Sequence, residues 1–195
     1  MTHKVDYSWI QTFSGRAFWP LQPRMEDIDI QDIAHSLAML CRFNGHGRIF
    51  YSVAEHAILV SRLVSPPHAP WGLLHDASEA YLTDLPKPVK RQLPDYTHCE
   101  ERLQALIAKR FHLDWPLPTA VKHADMVALS TEKVALMAAE PLTWGELPSP
   151  ADPTLIRGYP PLEAKQLFLA RFAELFPHEA RLSDSPREHS NALPP

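Results

Sequence analysis

The adjacent pair His75 and Asp76, with Glu79 three residues further on, is the strongest candidate for chemistry in the chain. At 100° per residue in a helix, these three side chains fall within an arc of about 100°. One imidazole and two carboxylates on one face can bind a metal or transfer protons if the face borders a cleft. If it faces water, it is an ordinary solvated surface. The opposite arc is apolar and consists of Leu73, Leu74, Ala77, Ala80 and Tyr81.

Two further polar residues stand on helix faces that are otherwise apolar. His56 shares its face with Val53, Leu59, Val60 and Leu63, which directs it inward. A lone inward histidine is more often a hydrogen-bonded core residue than a ligand. Asp125 shares its face with Val121, Ala128, Leu129 and Leu136. A carboxylate buried there without a positive partner would be costly, so we expect a cation near it.

A divalent cation would account for the two imidazoles and two carboxylates together. The four predicted ligands are His56, His75, Asp76 and Asp125. Imidazole and carboxylate are ligands of first-row metals, and carboxylates also bind magnesium. The alternative is a buried salt-bridge network in which Arg42 or Arg48 supplies the positive charge.

Composition restricts the classes of protein to which the chain can belong. Its 195 residues favour one domain, and 45% hydrophobic with 22% charged residues is typical of a globular protein. A net charge of -4 disfavours binding to duplex nucleic acid. No glycine-rich phosphate loop of the GxGxxG or GxxxxGKS/T type occurs.

Cysteine usage and hydropathy predict a soluble, cytoplasmic protein. Cys41 and Cys99 have no CxxC partner, so reduced thiols are expected, with a single disulfide as the alternative. The first eight residues contain no apolar stretch typical of a signal peptide, and no later run approaches the ~20 residues of a membrane span.

Apolar periodicity predicts an all-α fold of five to seven helices, because no period-two pattern of a sheet is visible. Asp29 is expected to cap the first helix, and Ser52 with Glu55 has the form of a capping box. The predicted helices begin at about residue 30 and then cover 53–64, 71–82, 95–112, 119–139 and 162–176.

The predicted organisation is one domain over residues 1–180, followed by a flexible polar tail at 181–195. Within the domain we expect an extended arm at 1–28 and a helical core at 29–140. An irregular, proline-rich segment and the last helix would then complete residues 141–180.

The arrangement of a histidine, an adjacent His-Asp pair and a distant aspartate resembles the HD-domain metal-dependent phosphohydrolases. The matching strings are Ser52-Val53-Ala54-Glu55-His56, His75-Asp76-Ala77-Ser78-Glu79, Thr83-Asp84-Leu85-Pro86-Lys87-Pro88-Val89-Lys90 and Lys122-His123-Ala124-Asp125. They look most like the bacterial 5'-deoxynucleotidases and the small phage-type deoxynucleoside triphosphate triphosphohydrolases. The resemblance covers roughly residues 25–138 and implies an all-α fold around a metal.

The resemblance also implies roles for individual residues. The four ligands named above would bind a divalent ion, which could be Mn, Co, Mg, Zn or Fe. Glu79 would transfer a proton at the attacking water or the leaving oxygen, or else simply pair with a lysine. Asp84 would lie near the sugar and the scissile bond, or else only cap a turn.

The implied substrate contacts begin with Arg42 and Phe43. They correspond to an Arg-aromatic pair that lies against phosphate and sugar in the deoxynucleotidases. Phe43 replaces the expected tryptophan, and the spacing to His56 is one residue shorter, so sugar specificity cannot be carried across.

Four more residues are candidates for substrate contacts. Lys87 and Lys90 suit the additional phosphates of a di- or triphosphate, or they form a solvated face. Trp19 in the arm could cover a base or phosphates, or pack against the core. His46 could touch substrate from its loop, whereas His35 and His123 have no expected metal role.

The sequence thus predicts a hydrolase of nucleotide phosphate esters, with deoxynucleoside mono- or triphosphates as the leading substrates. A small-molecule nucleotide is the expected partner, and a homo-oligomer is possible. The alternatives are an enzyme acting on a modified nucleoside triphosphate, a cyclic dinucleotide or an alarmone, a non-catalytic nucleotide-sensing module, and a structural helical adaptor.

Overall fold

A computed structural model describes residues 8–179 of the chain. In that range eight α-helices carry the fold, so the expected all-α class is confirmed. The helices α1 to α8 are Ile30–Met39, Val53–Leu63, Ala69–Leu74, Glu79–Leu82, Lys87–Lys90, Pro94–Arg110, Thr119–Leu136 and Pro161–Leu175. The first seven residues of the predicted arm and the predicted tail at 181–195 lie outside the described residues.

The predicted extended arm contains a short hairpin that the sequence pattern did not reveal. Strand β1 (Ile10–Gln11) pairs antiparallel with β2 (Ala17–Phe18). Phe18 is fully buried and stacks on Tyr81, with the ring centroids 3.9 Å apart. Two-residue strands are too short to show an alternating pattern, which is why the sequence did not predict this hairpin.

The start of helix α2 confirms one half of the predicted capping box and corrects the other. The Ser52 hydroxyl accepts a hydrogen bond from the Glu55 backbone N–H at 3.1 Å. The Glu55 carboxylate does not return to Ser52. It accepts hydrogen bonds from three consecutive backbone N–H groups at 157–159, because a distant loop offers it more donors than its own helix does.

Helix α2 lies at the centre of the helical packing, in contact with α1, α3, α7 and α8. Its residues from Val53 to Ser61 are all buried. A helix surrounded on all sides holds its polar residues in fixed positions, so His56 has little freedom to turn away from its neighbours.

The predicted helix at 71–82 is wrong as a single element, because it breaks at residues 75–78. Gln104, on α6, replaces one helical hydrogen bond: its carbonyl accepts from the Ser78 N–H at 3.0 Å and its amide donates to the Leu74 carbonyl at 2.6 Å. Insertion of a side chain into the i→i−4 ladder is a known cause of helix breaks. This break and the separate turn of α5 raise the count above the expected five to seven.

None of the helices in residues 8–179 has the combination of length and apolar character that crossing a membrane requires.

Candidate metal centre

Four side chains from three parts of the chain converge between α2, the break at 75–78 and α7. His56 Nε2 lies 3.2 Å from His75 Nε2 and 3.2 Å from Asp125 Oδ1. Asp76 Oδ2 lies 3.1 Å from His75 Nε2 and 3.5 Å from His56 Nε2. Ligand atoms of His56, His75 and Asp125 all fall within 4.8 Å of one another. This group could hold a metal ion, as the sequence predicted, with Asp76 beside it.

The hydrogen bonds of the two Nδ1 atoms leave the Nε2 atoms of both rings available to a cation. His75 Nδ1 is 2.8 Å from the Gly72 carbonyl, which can only accept, so this nitrogen carries a proton. His56 Nδ1 is 2.5 Å from Glu132 Oε1, again an acceptor when ionised. In their neutral forms both rings therefore direct Nε2 lone pairs toward one point. Lone pairs 3.2 Å apart repel unless a proton or a metal ion shares them.

Glu132 is a residue of this centre that the sequence reasoning missed. It is completely buried, and besides His56 it accepts hydrogen bonds from Arg42 at 3.0 and 3.2 Å. Burial raises the pKa of Glu132, but the charges of Arg42 and His56 lower it by a larger amount, so the net shift is downward. A carboxylate behind a histidine fixes the ring and its tautomer for metal binding. Glu132 follows Asp125 by two helical turns, so the spacing did contain a signal.

Arg42 reaches the centre, but its guanidinium is engaged by carboxylates. It lies 3.0 Å from Glu132 and 3.7 Å from Asp76. The salt-bridge network considered as the alternative to a metal is therefore present together with the metal-binding geometry. A phosphate contact by Arg42 stays a prediction. Arg48 is exposed, and its backbone N–H donates to the Leu136 carbonyl.

The charges around the two histidines favour a cation between them. Burial and Arg42 lower the pKa of His56, but Glu132 and Asp125 raise it more, to about 9. Burial raises the pKa of Asp125, yet its hydrogen bond and charge interaction with His56 bring it to about 2. The centre thus holds ionised carboxylates around His56, and these carboxylates favour a positive charge at its ring.

Glu79 lies next to the cluster with an acceptor atom that has no partner. It is 5% exposed, and within residues 8–179 its buried Oε2 makes no hydrogen bond. Burial raises its pKa well above the usual value, and the charges of Asp76 and Asp84 add to that rise. Its other oxygen lies 4.0 Å from Lys90 Nζ. A carboxyl group in this state can hold a proton near the histidines and release it.

Asp84 follows α4 in a turn with a fixed backbone. Burial raises the pKa of Asp84, the charge of Asp76 raises it further, and the charge of Arg42 lowers it, so Asp84 interacts electrostatically with the same centre. The preceding residue, Thr83, has a positive φ of 73°. The Tyr96 hydroxyl donates to the carbonyls of Leu82 and Thr83, at 3.0 and 2.7 Å, and holds this turn.

The two lysines predicted to contact phosphates differ in environment. Lys90 forms a 2.7 Å ion pair with Glu100 and lies close to Glu79, so its charge is largely compensated. Lys87 is exposed, and its Nζ lies 3.9 Å from the sulfur of Met126, the neighbour of Asp125. Within residues 8–179 Lys87 forms no ion pair. Of these two lysines, Lys87 is therefore the one whose charge is not compensated by a carboxylate.

The remaining predicted contacts lie at different distances from the cluster. The half-buried Phe43 ring is 5.4 Å from the Arg42 guanidinium, and His46 is exposed in the same loop. Trp19 is half-buried below the Arg24 guanidinium at 5.5 Å, in the arm. The structure therefore brings Phe43 near the centre and leaves contacts of His46 and Trp19 with substrate as predictions.

Two related proteins match nearly the whole chain. Uncharacterized protein YfdR of Escherichia coli K12 is 42% identical over 170 residues, which covers 86% of this chain and 96% of YfdR. Uncharacterized protein RCAP_rcc00048 of Rhodobacter capsulatus is 36% identical over 183 residues, 84% of this chain and 93% of the relative. No protein-family model matches the chain.

Proposed function

The chain belongs to the same family as YfdR of Escherichia coli and RCAP_rcc00048 of Rhodobacter capsulatus, and we propose that it is a metal-dependent phosphohydrolase. Its proposed substrates are nucleotide phosphate esters, first of all deoxynucleoside mono- or triphosphates. The observation that carries this proposal is the convergence of His56, His75 and Asp125 ligand atoms within 4.8 Å. The resemblance to HD-domain phosphohydrolases supports the same assignment.

The donor set suits a divalent metal held by His56, His75, Asp76 and Asp125. Two imidazole nitrogens with carboxylate oxygens favour Mn, Fe, Co or Zn, and the carboxylates also permit Mg. Such an ion, when bound, supplies Lewis acidity toward a phosphoryl oxygen and toward water. Glu132 and the Gly72 carbonyl keep the two rings in the tautomer that this binding requires.

Glu79 is the proposed proton-transfer residue. Its Oε2 is buried without a partner, and burial raises the pKa of the carboxyl group, so a protonated Glu79 is available to the leaving oxygen. It lies three residues after Asp76 in a segment with i→i−3 hydrogen bonds. Side chains three apart in such a segment point the same way. Asp84 is the second proposed carboxylate beside the reacting group.

Product analysis tests the proposal directly. We would supply the purified protein with Mg²⁺, Mn²⁺ or Co²⁺ and with ribo- and deoxynucleoside mono- and triphosphates, and resolve phosphate, pyrophosphate and triphosphate. Orthophosphate from monophosphates would identify a nucleotidase, and triphosphate from triphosphates a triphosphohydrolase. No product with any metal would reject hydrolysis of these nucleotides and favour the nucleotide-sensing alternative.

A variant pair ties any activity to this site. Asp76→Ala should reduce turnover below detection while the chain stays folded by circular dichroism. His123→Ala is the matched control, because His123 is exposed and lies on α7 near Asp125. Wild-type activity in Asp76→Ala would show that the reaction takes place elsewhere.

A further inference from the structure

The irregular segment at 137–160 is anchored to α2, the helix that carries His56. Glu55, the neighbour of His56, accepts hydrogen bonds from the backbone N–H groups of Arg157, Gly158 and Tyr159 at 2.7, 3.1 and 2.8 Å. Gly158 has a φ of +67°, and an added Cβ would lie 2.6 Å from a side-chain carbon of Ile49. The end of the segment is therefore held tightly against α2.

A second anchor ties the middle of the segment to α7. The Ala151 N–H donates to the Thr131 hydroxyl oxygen at 2.9 Å. Thr131 precedes Glu132, the carboxylate behind His56. Both anchor residues on the helices are thus sequence neighbours of residues of the candidate metal centre, so the segment is fixed to the two helices that carry His56 and Asp125.

Trp144 is held in a defined position within this segment. Its backbone N–H donates to Glu140 at 3.4 Å, and Glu140 forms a 2.6 Å ion pair with Lys133. The Lys133 ammonium lies 5.7 Å from the indole centroid, within the range of a cation–π contact. The side chain is nevertheless 38% exposed. A large aromatic that is both fixed and accessible is suited to contact a ligand.

Phe43 lies beside Trp144 and links it to the metal centre. The two ring centroids are 6.1 Å apart with planes tilted by 52°, so neither ring covers the face of the other. Phe43 and Asn44 have positive φ values of 55° and 50°, a conformation that costs energy in residues other than glycine. Phe43 also lies on the Arg42 guanidinium, which is 3.7 Å from Asp76. The Arg42 side chain therefore lies between the aromatic pair and the cluster of predicted metal ligands.

We infer that Trp144 and Phe43 form an aromatic subsite for the base of a nucleotide and that Trp144 determines specificity there. The inference deepens the proposed function and rests on it. A nucleotide has a charged end for the metal centre and a planar base, and a base stacks on aromatic rings largely irrespective of its identity. The subsite thus favours nucleotides over phosphate esters that carry no base.

The kinetic test compares substrates with and without a base. For Trp144→Ala, kcat/KM for a deoxynucleoside monophosphate should fall about 5- to 100-fold relative to 2-deoxyribose 5-phosphate, mainly through KM. If triphosphates are the substrates, 2-deoxyribose 5-triphosphate, which keeps the ester bond but carries no base, serves as the base-free partner. Trp144→Phe should retain most of the preference, because the ring persists. Leu142→Ala, 80% exposed in the same segment, is the control. An unchanged preference in Trp144→Ala would overturn the subsite.

A binding test separates failure of the subsite from failure of hydrolysis. Deoxynucleotide should quench indole fluorescence in the wild type and in Trp115→Phe, and much less in Trp144→Phe. Quenching that depends on Trp144, without any turnover, would keep the subsite and reject the hydrolase. Turnover with equal quenching in all three proteins, or no nucleotide binding by equilibrium dialysis, would overturn the subsite.

Discussion

The two histidines of the candidate metal centre are held by different kinds of structure. His56 lies on the regular, fully buried helix α2, and a charged pair, Glu132 with Arg42, stands behind it. His75 lies at the end of α3, where the helix breaks, and a neutral carbonyl, that of Gly72, fixes its ring. Charge therefore orients one half of the centre, and backbone geometry orients the other.

This difference divides the expected effects of substitutions into two classes. On the His56 side, removal of a charge should leave its buried partner uncompensated, which is costly in a protein interior. On the His75 side, loss of a hydrogen bond should let the chain return to a regular helix and move the ligands. The first class acts mainly on stability, and the second on metal binding.

Glu132→Gln should have the largest effect on stability. It keeps the shape of the side chain but leaves the buried Arg42 without its nearest carboxylate, so the free energy of unfolding should fall by about 3 to 5 kcal/mol. Urea unfolding of the metal-free protein measures this. Glu174→Gln is the control, because it removes an exposed ion pair with Arg171 and should cost about 1 kcal/mol or less. Equal losses in the two variants would contradict the charge-based account of the His56 side.

Gln104→Leu should have an intermediate effect on stability and a clear one on metal binding. The buried Ser78 N–H loses its acceptor, and one unsatisfied group costs about 1 to 3 kcal/mol. To regain a partner, the freed N–H must bond the Leu74 carbonyl, which would straighten the helix and move His75 and Asp76. We therefore expect weaker Mn²⁺ or Co²⁺ binding by titration calorimetry.

The exposed Gln166 on α8 provides the control for that experiment. Gln166→Ala should change stability by about 0.5 kcal/mol or less and leave metal affinity unchanged. If Gln104→Leu bound metal as tightly as Gln166→Ala, the break at 75–78 would not be needed for the ligand geometry.

The same contrast explains what could be predicted from the sequence. Helices α1, α2 and α7 follow from local periodicity and, for the first two, from Asp29 and Ser52 at their starts, since these signals lie within a few residues. The inward positions of His56 and Asp125 follow from the same periodicity. They are the part of the site that regular helices determine.

Long-range contacts decided the rest of the structure. The break at 75–78 depends on Gln104, which lies 26 residues after Ser78. The Glu55 carboxylate bonds a loop about 100 residues away instead of its own helix start. Glu132 shares a helix face with Asp125, yet the sequence did not predict its role. That role depends on Arg42 and His56, which are far from Glu132 in the sequence and contact it only in the folded chain.

Ser52→Ala should lower stability moderately and leave the site intact. Its hydroxyl caps α2, and loss of an N-cap costs about 1 kcal/mol, which corresponds to a fall in Tm of about 2 to 4 °C for a chain of this size. Metal affinity should not change, because Glu132 fixes the His56 ring independently. Differential scanning calorimetry with and without Mn²⁺ measures both, with the exposed Ser65→Ala as control. A parallel loss of metal affinity would show that the helix start positions His56.

The smallest predicted effect distinguishes Lys87 from Lys90, the two lysines predicted to contact phosphates. Lys87 is exposed and has no ion pair among the described residues, so Lys87→Gln should raise KM for a nucleotide more than it lowers kcat. An exposed charge contact is worth about 0.2 to 1 kcal/mol, which corresponds to a factor of about 1.4 to 5. The effect should shrink as salt is added, because ions screen exposed charges. Lys90→Gln should act instead on kcat, since Lys90 lies beside Glu79 and compensates Glu100. Equal, salt-sensitive changes in KM for both variants would mean that Lys90 also meets the phosphates and that its pairing with Glu100 opens when substrate binds.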